Sequence, residues 1–512
     1  MLTYIVRRLA TAALILLGAS FVVYNLTALS GDPLEEFRGS GAPNAKQLMD
    51  ARAELLDLGT PAPVRYFTWL GGAARCLLPV AGGCDLGKNV AGQPVTEALG
   101  VALVQTLTLV TAAAVLAILV GVALGVVTAL RQHGVLDYGV TFMAFLFFSL
   151  PIFWVAVLLK EYGAIGFNDF LADPEIPWQV SAGLGVLAAL GVGGVAGGRP
   201  SHRLAAGGAA FVLTAGLLAL ASATRWFARP GLGLVVLLVA GTGFAFAAAA
   251  LAAGPRNRRA LVAGLAAVAV GLAVYFPIQG PLNGATPGMI LVLGVVTVLV
   301  GTGLGWLAGG YDRRQNMRVA GATALAMGAM IALDRYMQAW PSYVADSTVR
   351  GRPIATIGAS TPNLGGDFWT AGIDSFTHLV LPTIALVLVS LAGYARFTRS
   401  SMLEVMTMDY IRTARAKGMG ERDVVLRHAL RNALLPITTV VAFDIGGLIG
   451  GAVITETVFS VRGMGVMFLE GVTRVDPNPV MAVFVCTAAT AMVFNLLADL
   501  AYSALDPRIR VR

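Results

Sequence analysis

The stretch "DYIRTARAKGMGERDVVLRHALRNALLP", Asp409–Pro436, decides how this chain folds. Only 12% of the 512 residues are charged, yet Asp409, Arg412, Arg415, Lys417, Glu421, Arg422, Asp423, Arg427 and Arg431 crowd into it, between long apolar runs. A charged side chain costs roughly 2.5–3.5 kcal/mol at a bilayer centre on insertion scales. The stretch therefore stands outside the hydrocarbon while its flanks cross it. Within it, Asp409 suits a helix N-cap, Tyr410 to Lys417 make two turns, and Gly418 suits the C′ position. Ala414 and Ala416 are small enough to let another surface approach the backbone. Gly420 permits a second bend, and Glu421 to Leu434 reads as a second helix, with Val424, Leu430 and Leu434 among Arg422, Arg427 and Arg431. Pro436 then suits the first turn of the next span. Two readings stay open: a rigid basic helix pair built to be gripped, or an ordinary loop obeying the positive-inside bias.

Working outward, 57% of the chain is hydrophobic and its mean hydropathy is +0.77. Apolar runs of 18 or more residues recur, each long enough to cross a hydrocarbon core of roughly 30 Å. Backbone polar groups in such runs must pair internally, so the spans are helices, and a transmembrane barrel would show short alternating segments instead. The fold class is an all-α polytopic membrane protein. The net charge of +8 sits mostly in short loops, with no basic stripe interleaved with aromatics, so nucleic acid is not an expected partner.

The reading places a first transmembrane helix in 1–30, an extracytoplasmic loop at 31–98 and two further spans in 99–165, near 99–130 and 138–160. The apolar run Leu9–Leu29 is long for a signal-peptide core, which favours an uncleaved span with Arg7 and Arg8 inside. A block at 178–335, rich in Ala, Gly, Val and Leu, holds six apolar runs near 180–197, 204–222, 231–253, 259–277, 288–309 and 317–333. Three of its loops carry Arg203, Arg256, Arg258, Arg259, Arg313, Arg314 and Arg318 and are expected inside; Arg225 and Arg229 fall on the wrong side. An even number of spans returns the chain to its starting face, so the block reads as an insertion. An extracytoplasmic segment at 336–375 follows. Residues 376–512 then hold spans near 376–395, 436–457 and 479–504, a cytoplasmic loop at 396–435 and the basic tail "DPRIRVR". That makes twelve spans with both termini inside.

Cys76 and Cys84 share the loop 31–98, where a disulfide and two free thiols are both open. "GGCDLGKN", Gly82–Asn89, nearly fits a P-loop, but Asn89 replaces the hydroxyl that would hold Mg²⁺ and no strand precedes it. His133, His202, His378 and His428 are scattered and form no metal motif. Asp444, in "VVAFDIGGLIGG", is an ionisable residue inside a span, either lining a translocation path or hydrogen-bonded to a neighbouring helix.

"ARFTRSSMLEVMTMDYIRTARAKGMGERDVVLRHALRNALLP" closely resembles the signature of membrane subunits of binding-protein-dependent ABC importers of the dipeptide, oligopeptide and nickel family. "MLTYIVRRL", "CDLGKNVAGQPVTEALGVALVQTLTL", "HLVLPTIALVLVSLAGYARFTRSSMLE", "GGAVITETVFSVRGMG" and "FNLLADLAYSALDPRIR" are similar to other parts of such subunits. The resemblance covers roughly 1–165 and 365–512. It implies a type I importer permease core, here with about six additional helices inserted. It also implies that the charged loop is a coupling helix docking on an ATPase subunit, with Ala414, Arg415, Ala416, Lys417 and Gly418 matching its core and Tyr410, Arg412 and Glu421 beside them. ATP and Mg would then be bound by partner chains, and this chain would be no enzyme. The implied partners are two ATP-binding subunits or one fused, a homologous permease subunit and an extracytoplasmic solute-binding protein. The implied location is the bacterial inner membrane. Glu456 and Asp499 match family positions near span ends and are expected to be structural. Arg462 stands where the family usually has Pro, and 178–335 has no counterpart in the usual six-span subunit. The rival reading is a twelve-helix secondary transporter driven by an ion gradient, which would need two comparable halves; the halves here do not match.

Overall fold

In the computed structural model, residues 2–38, 43–76, 83–196, 199–252, 254, 257–310 and 312–505 are described. Arg256 and the basic tail 506–512 lie outside the described residues, as does the side chain of Asp499. The principal helices are α1 (Leu2–Leu29), α2 (Val95–Leu130), α3 (Val135–Ser149), α4 (Trp178–Val195), α5 (Pro200–Ala223), α6 (Gly233–Ala252) and α7 (Arg258–Leu282). They continue with α8 (Pro287–Leu307), α9 (Arg313–Ala345), α10 (Phe368–Met406), α11 (Asp409–Ala416), α12 (Leu430–Val458), α13 (Met464–Thr473) and α14 (Pro477–Leu505). Among the described residues eleven helices are long and apolar enough to cross a membrane, or up to twelve with one bent pair. The protein is an all-α polytopic membrane protein.

That bent pair, Val135–Ser149 with Ile152–Ala172, replaces the straight span expected at 138–160. The two halves meet at 104°. The cause is Pro151, whose ring excludes Leu150 from helical angles and leaves it extended at φ −84°, ψ 131°. Other helices outrun their apolar runs, because a helix does not end where its residues turn polar. α9 continues to Ala345, and α10 begins at Phe368 and continues to Met406. The segment expected as a polar loop at 31–98 itself carries helices Glu35–Arg38, Ala45–Leu55 and Ala62–Arg75.

The chain forms two compact units, the first made of 1–163, 356–359 and 379–512 and the second of 164–355 and 360–378. In the first unit, Tyr66 and Trp69 of the helix Ala62–Arg75 are buried with Tyr24 of α1 and Met481 of α14. Ser20 and Tyr66 share a hydrogen bond at 2.8 Å. Cys76 and Cys84 form a disulfide. α2 and α10 approach very closely. A Cβ on Gly121 would lie 2.7 Å from that of Tyr394, and one on Gly125 would lie 2.5 Å from that of Thr398. These two glycines, four residues apart, make the small-residue stripe on which membrane helices pack.

Glu456 of α12 is fully buried and holds the first unit together from inside. It accepts the Thr106 hydroxyl at 2.6 Å and the backbone N–H groups of Gly465 and Val466 at 2.7 and 3.2 Å. Its carboxyl thereby meets the open N–H groups of α13. Asp476, just before α14, is also buried and accepts the Val90 N–H at 2.7 Å. Burial pushes its carboxyl up to about 6, against hydrogen bonds from Val90 and Asn478 that pull it down.

In the second unit, α4 and α5 pack as a hairpin, and α9 packs against α6, α7 and α8. Leu237, Tyr275, Met327 and Trp369 are buried in its core. The buried Asp334 of α9 accepts four hydrogen bonds: Leu232 N–H at 2.6 Å, Gly233 N–H at 3.3 Å, Tyr275 O–H at 2.7 Å and Gln338 Nε2 at 2.7 Å. Two of those donors are at the N-terminus of α6, which an anion there stabilises.

Candidate functional site

α11 stands on an apolar root. Its inward residues, Ile411 and Ala414, are buried with Met402 and Val405 of α10 and with Val424, Val425, Ala429 and Ala433 of the segment that follows. Tyr410, Arg412, Thr413, Arg415, Ala416 and Lys417 are exposed. Two turns of helix are far too short to hold in water by propensity, so the buried root sets the geometry of the exposed face.

The C-terminus of α11 closes as a Schellman motif. The Met419 N–H donates to Ala414 O at 3.3 Å and the Gly418 N–H to Arg415 O at 2.9 Å. Gly418 takes φ +74°, the left-handed conformation for which glycine is the low-cost residue. The N-cap is Met408 rather than Asp409, which is the first helical residue; its acidic side chain still suits the first turn.

The helix expected at 421–434, followed by a separate span from Pro436, is instead one continuous run from Glu421 into α12. Residues Val424–Ala429 widen to a π-helical turn in which the Leu430 N–H reaches back five residues to Val425 O. Pro436 lies inside α12. The missing N–H of an interior proline is tolerated in a membrane helix when local adjustments satisfy the freed carbonyls.

Three contacts tie the exposed segment down. Arg415 donates from Nε and Nη2 to the two Glu421 carboxylate oxygens, at 3.2 and 2.6 Å. That carboxylate holds the Arg415 guanidinium above its ordinary range. Asn432 Nδ2 donates to the Tyr410 hydroxyl at 2.8 Å, and the Ser401 hydroxyl to Ala433 O at 2.9 Å. Behind them, Arg399 of α10 grips Asp137 of α3 with both Nε and Nη2, at 2.7 and 3.0 Å.

Of the residues singled out in the sequence, Tyr410, Arg412, Arg415, Ala416, Lys417, Gly418 and Glu421 share one exposed patch. Ala414 does not: it faces the root, so its small side chain lets α11 sit close to its own scaffold rather than to a second surface. Asp444 lies apart on α12 and accepts the Tyr394 hydroxyl of α10 at 2.5 Å, a hydrogen bond to a neighbouring helix. Sequence reasoning missed the Asp137–Arg399 pair. The signal present was an acid at the start of one apolar run and two arginines, Arg396 and Arg399, at the end of another, and only the fold selects the pair.

Geometry of this kind defines a class: a polytopic α-helical membrane protein that carries, between two of its spans, a short exposed helix rigidly rooted in the spans themselves. Residues 285–511 match the family described as "Binding-protein-dependent transport system inner membrane component". The match begins within the block 178–335 and takes in α8 and α9. Among curated relatives, the chain is 42% identical over 154 residues to the oligopeptide transport system permease protein OppB of Mycobacterium tuberculosis, covering 30% of this chain and 47% of that protein. It is 46% identical over 138 residues to the dipeptide transport system permease protein DppB of Escherichia coli, covering 27% and 41%. It is 45% identical over 136 residues to the oligopeptide transport system permease protein AppB of Bacillus subtilis, covering 27% and 43%. The chain thus spans less than half the length of these relatives.

Proposed function

We propose that this chain is the transmembrane permease subunit of an ATP-driven importer for peptides or similar small solutes. The observation that carries this reading is the exposed helix Asp409–Ala416, rooted in α10 and α12, in a segment matching a family of importer membrane components. Partner ATPase subunits, two or one fused, bind ATP and Mg and close on hydrolysis-competent nucleotide. Each grips a patch of the kind made here by Tyr410, Arg412, Arg415, Ala416, Lys417, Gly418 and Glu421. Because α11 is anchored to two spans, pushing it tilts them and switches the pathway between inward-open and outward-open. A homologous permease completes the pathway, and an extracytoplasmic solute-binding protein delivers the solute. Asp444 lines that pathway, and the hydrogen bond it accepts from Tyr394 links α12 to α10 there.

The location follows as the bacterial inner membrane, with both termini cytoplasmic. Arg7 and Arg8 before the first span support that orientation, and so does a disulfide in the 31–98 segment, since disulfides persist on the oxidising side. The block 178–335, of which the family match takes in α8 and α9, carries six long helices, an even number, so the chain leaves it on the face where it entered. The ion-driven alternative gains no support from the relatives, whose printed names are those of peptide transport permeases.

The test is replacement of Ala416 by a bulky residue in the assembled transporter. Ala416 is exposed, so insertion and assembly stay intact while solute-stimulated ATP hydrolysis falls. Undiminished stimulation in that variant, or transport by the purified chain without any ATP-hydrolysing subunit, overturns the reading.

A further inference from the structure

The second unit contains an apolar groove of about 420 Å³ between α7, α8 and α9. Gly271 and Ile278 of α7, Gly294 and Thr297 of α8, and Gly328 and Ile331 of α9 line it. The lining runs from Ala267 to Leu282 along α7, fifteen residue-to-residue steps or about 22 Å at a helical rise of 1.5 Å per residue. That exceeds the roughly 15 Å depth of one leaflet's hydrocarbon. Thr297 is the one lining side chain with a hydroxyl. All three helices are long and apolar enough to cross a membrane, so the solvent at this groove is hydrocarbon rather than water.

One end of the groove is polar. Arg335 lies one turn beyond Ile331 on α9, and Asn283 follows Leu282 on α7. The Arg335 side chain is half-buried and donates from Nη2 to Asn283 Oδ1 at 2.5 Å and from Nη1 to Gln338 Oε1 at 3.2 Å. Each of those nitrogens carries two hydrogens, so each keeps one to spare. Arg335 Nε is buried with no hydrogen-bond partner, and neither amide atom of Gln279, one turn before Asn283, has a partner either. The carboxylates nearby accept no hydrogen bond from these donors, although Asp367 lies close enough to Arg335 for their charges to attract. Asp334 is saturated as described, and Asp367 accepts both the N–H and the hydroxyl of Thr370, at 2.9 Å each. Buried donors left without partners are uncommon enough to ask for one.

We propose that this groove binds one acyl chain of a membrane phospholipid, whose phosphate sits against Arg335. An apolar slot of chain length ends at an under-used guanidinium, and guanidinium is the side chain best matched to phosphate. No such slot exists for a lipid that only bathes the protein: the chain enters between helices, and its headgroup meets a charge whose hydrogen-bonding capacity is unfilled.

The test uses the full-length chain in detergent, titrated with phosphatidylglycerol and with diacylglycerol of the same chains, bound lipid being counted by native mass spectrometry. One phosphatidylglycerol binds per chain, in preference to the phosphate-free lipid. Gly294→Phe fills the groove from a position where an added Cβ meets nothing and lowers that binding roughly tenfold, equivalent to about 1.4 kcal/mol. Gly303→Phe, equally unobstructed but outside the lining, leaves it unchanged and serves as the folding control. Arg335→Gln keeps chain binding but removes the preference for phosphatidylglycerol. Equal binding by wild type and Gly294→Phe overturns the site, equal binding of the two lipids by wild type overturns the headgroup assignment, and a cysteine at position 294 that crosslinks to a partner subunit in the assembled transporter assigns the groove to a protein helix instead.

Discussion

Charge is used in opposite ways in the exposed segment around α11 and in the buried interiors around Asp334 and Glu456. On α11 the charges lie on the outside of a helix whose position is set by Ile411 and Ala414 beneath it. Its ion pairs are exposed, and exposed pairs contribute little to stability. In the interiors, a single carboxylate collects several donors and closes the N-terminus of a helix: Asp334 for α6, Glu456 for α13. Removing a buried acceptor strands its donors. The difference separates charges that build the scaffold from charges that the scaffold displays.

The largest effect is expected from Asp334→Leu. It strands the Tyr275 hydroxyl and the backbone N–H groups at the start of α6, at roughly 1–3 kcal/mol for each donor left buried. Thermal unfolding of the purified chain should fall by about 3 kcal/mol or more; an unchanged transition breaks the contrast on the interior side. Next in size is Ala416→Trp on the exposed face. It should leave the unfolding transition in place while solute-stimulated ATP hydrolysis of the assembled transporter drops at least roughly tenfold, about 1.4 kcal/mol of coupling. A variant that unfolds instead would show that α11 is scaffold and not display.

A smaller effect concerns Asp476, a buried carboxylate outside the spans with a carboxyl raised from 3.8 to about 6. A raised folded-state value means the folded form holds the proton more tightly, so the contribution is fully present below about 4 and is lost as pH rises through about 6. Hydrogen exchange at the Val90 amide, corrected for intrinsic rate, should therefore reveal easier opening at pH 7.5 than at pH 5. Asp476→Asn should flatten that dependence, and a wild-type profile already flat removes the claim. The smallest effect is Arg415→Ala, which breaks an exposed pair with Glu421. No measurable change in unfolding is expected, with a loss of ATPase coupling smaller than that of Ala416→Trp. A clear loss of stability would mean that the pair, and not the apolar root, holds α11.

Much of this was legible in the residues alone. The apolar runs coincide with long helices because a chain in hydrocarbon has to satisfy its backbone locally, which is a property of consecutive residues. Gly418 could be placed at C′ because left-handed backbone at a helix end favours glycine whatever surrounds it. Less local features were not legible. Ala414 and Ala416 look alike in sequence and face opposite ways. Pro436 reads as a helix start and sits inside a helix, because a membrane helix tolerates an interior proline where its surroundings satisfy the freed carbonyl. Pro151 reads as a residue within a span and breaks it.

What the amino-acid order determined by itself is the class of protein, the approximate place of its membrane helices, and the one segment where charges gather outside them. Those properties follow from transfer free energies and backbone geometry, which each residue and its near neighbours carry along. Tertiary structure alone decided which face of α11 is free, that Asp137 meets Arg399 and Asp444 meets Tyr394, and that three helices leave an apolar groove one helical turn short of Arg335. These depend on distances between residues far apart in the chain, which the packing of small residues such as Gly121 and Gly125 sets and which no local pattern encodes.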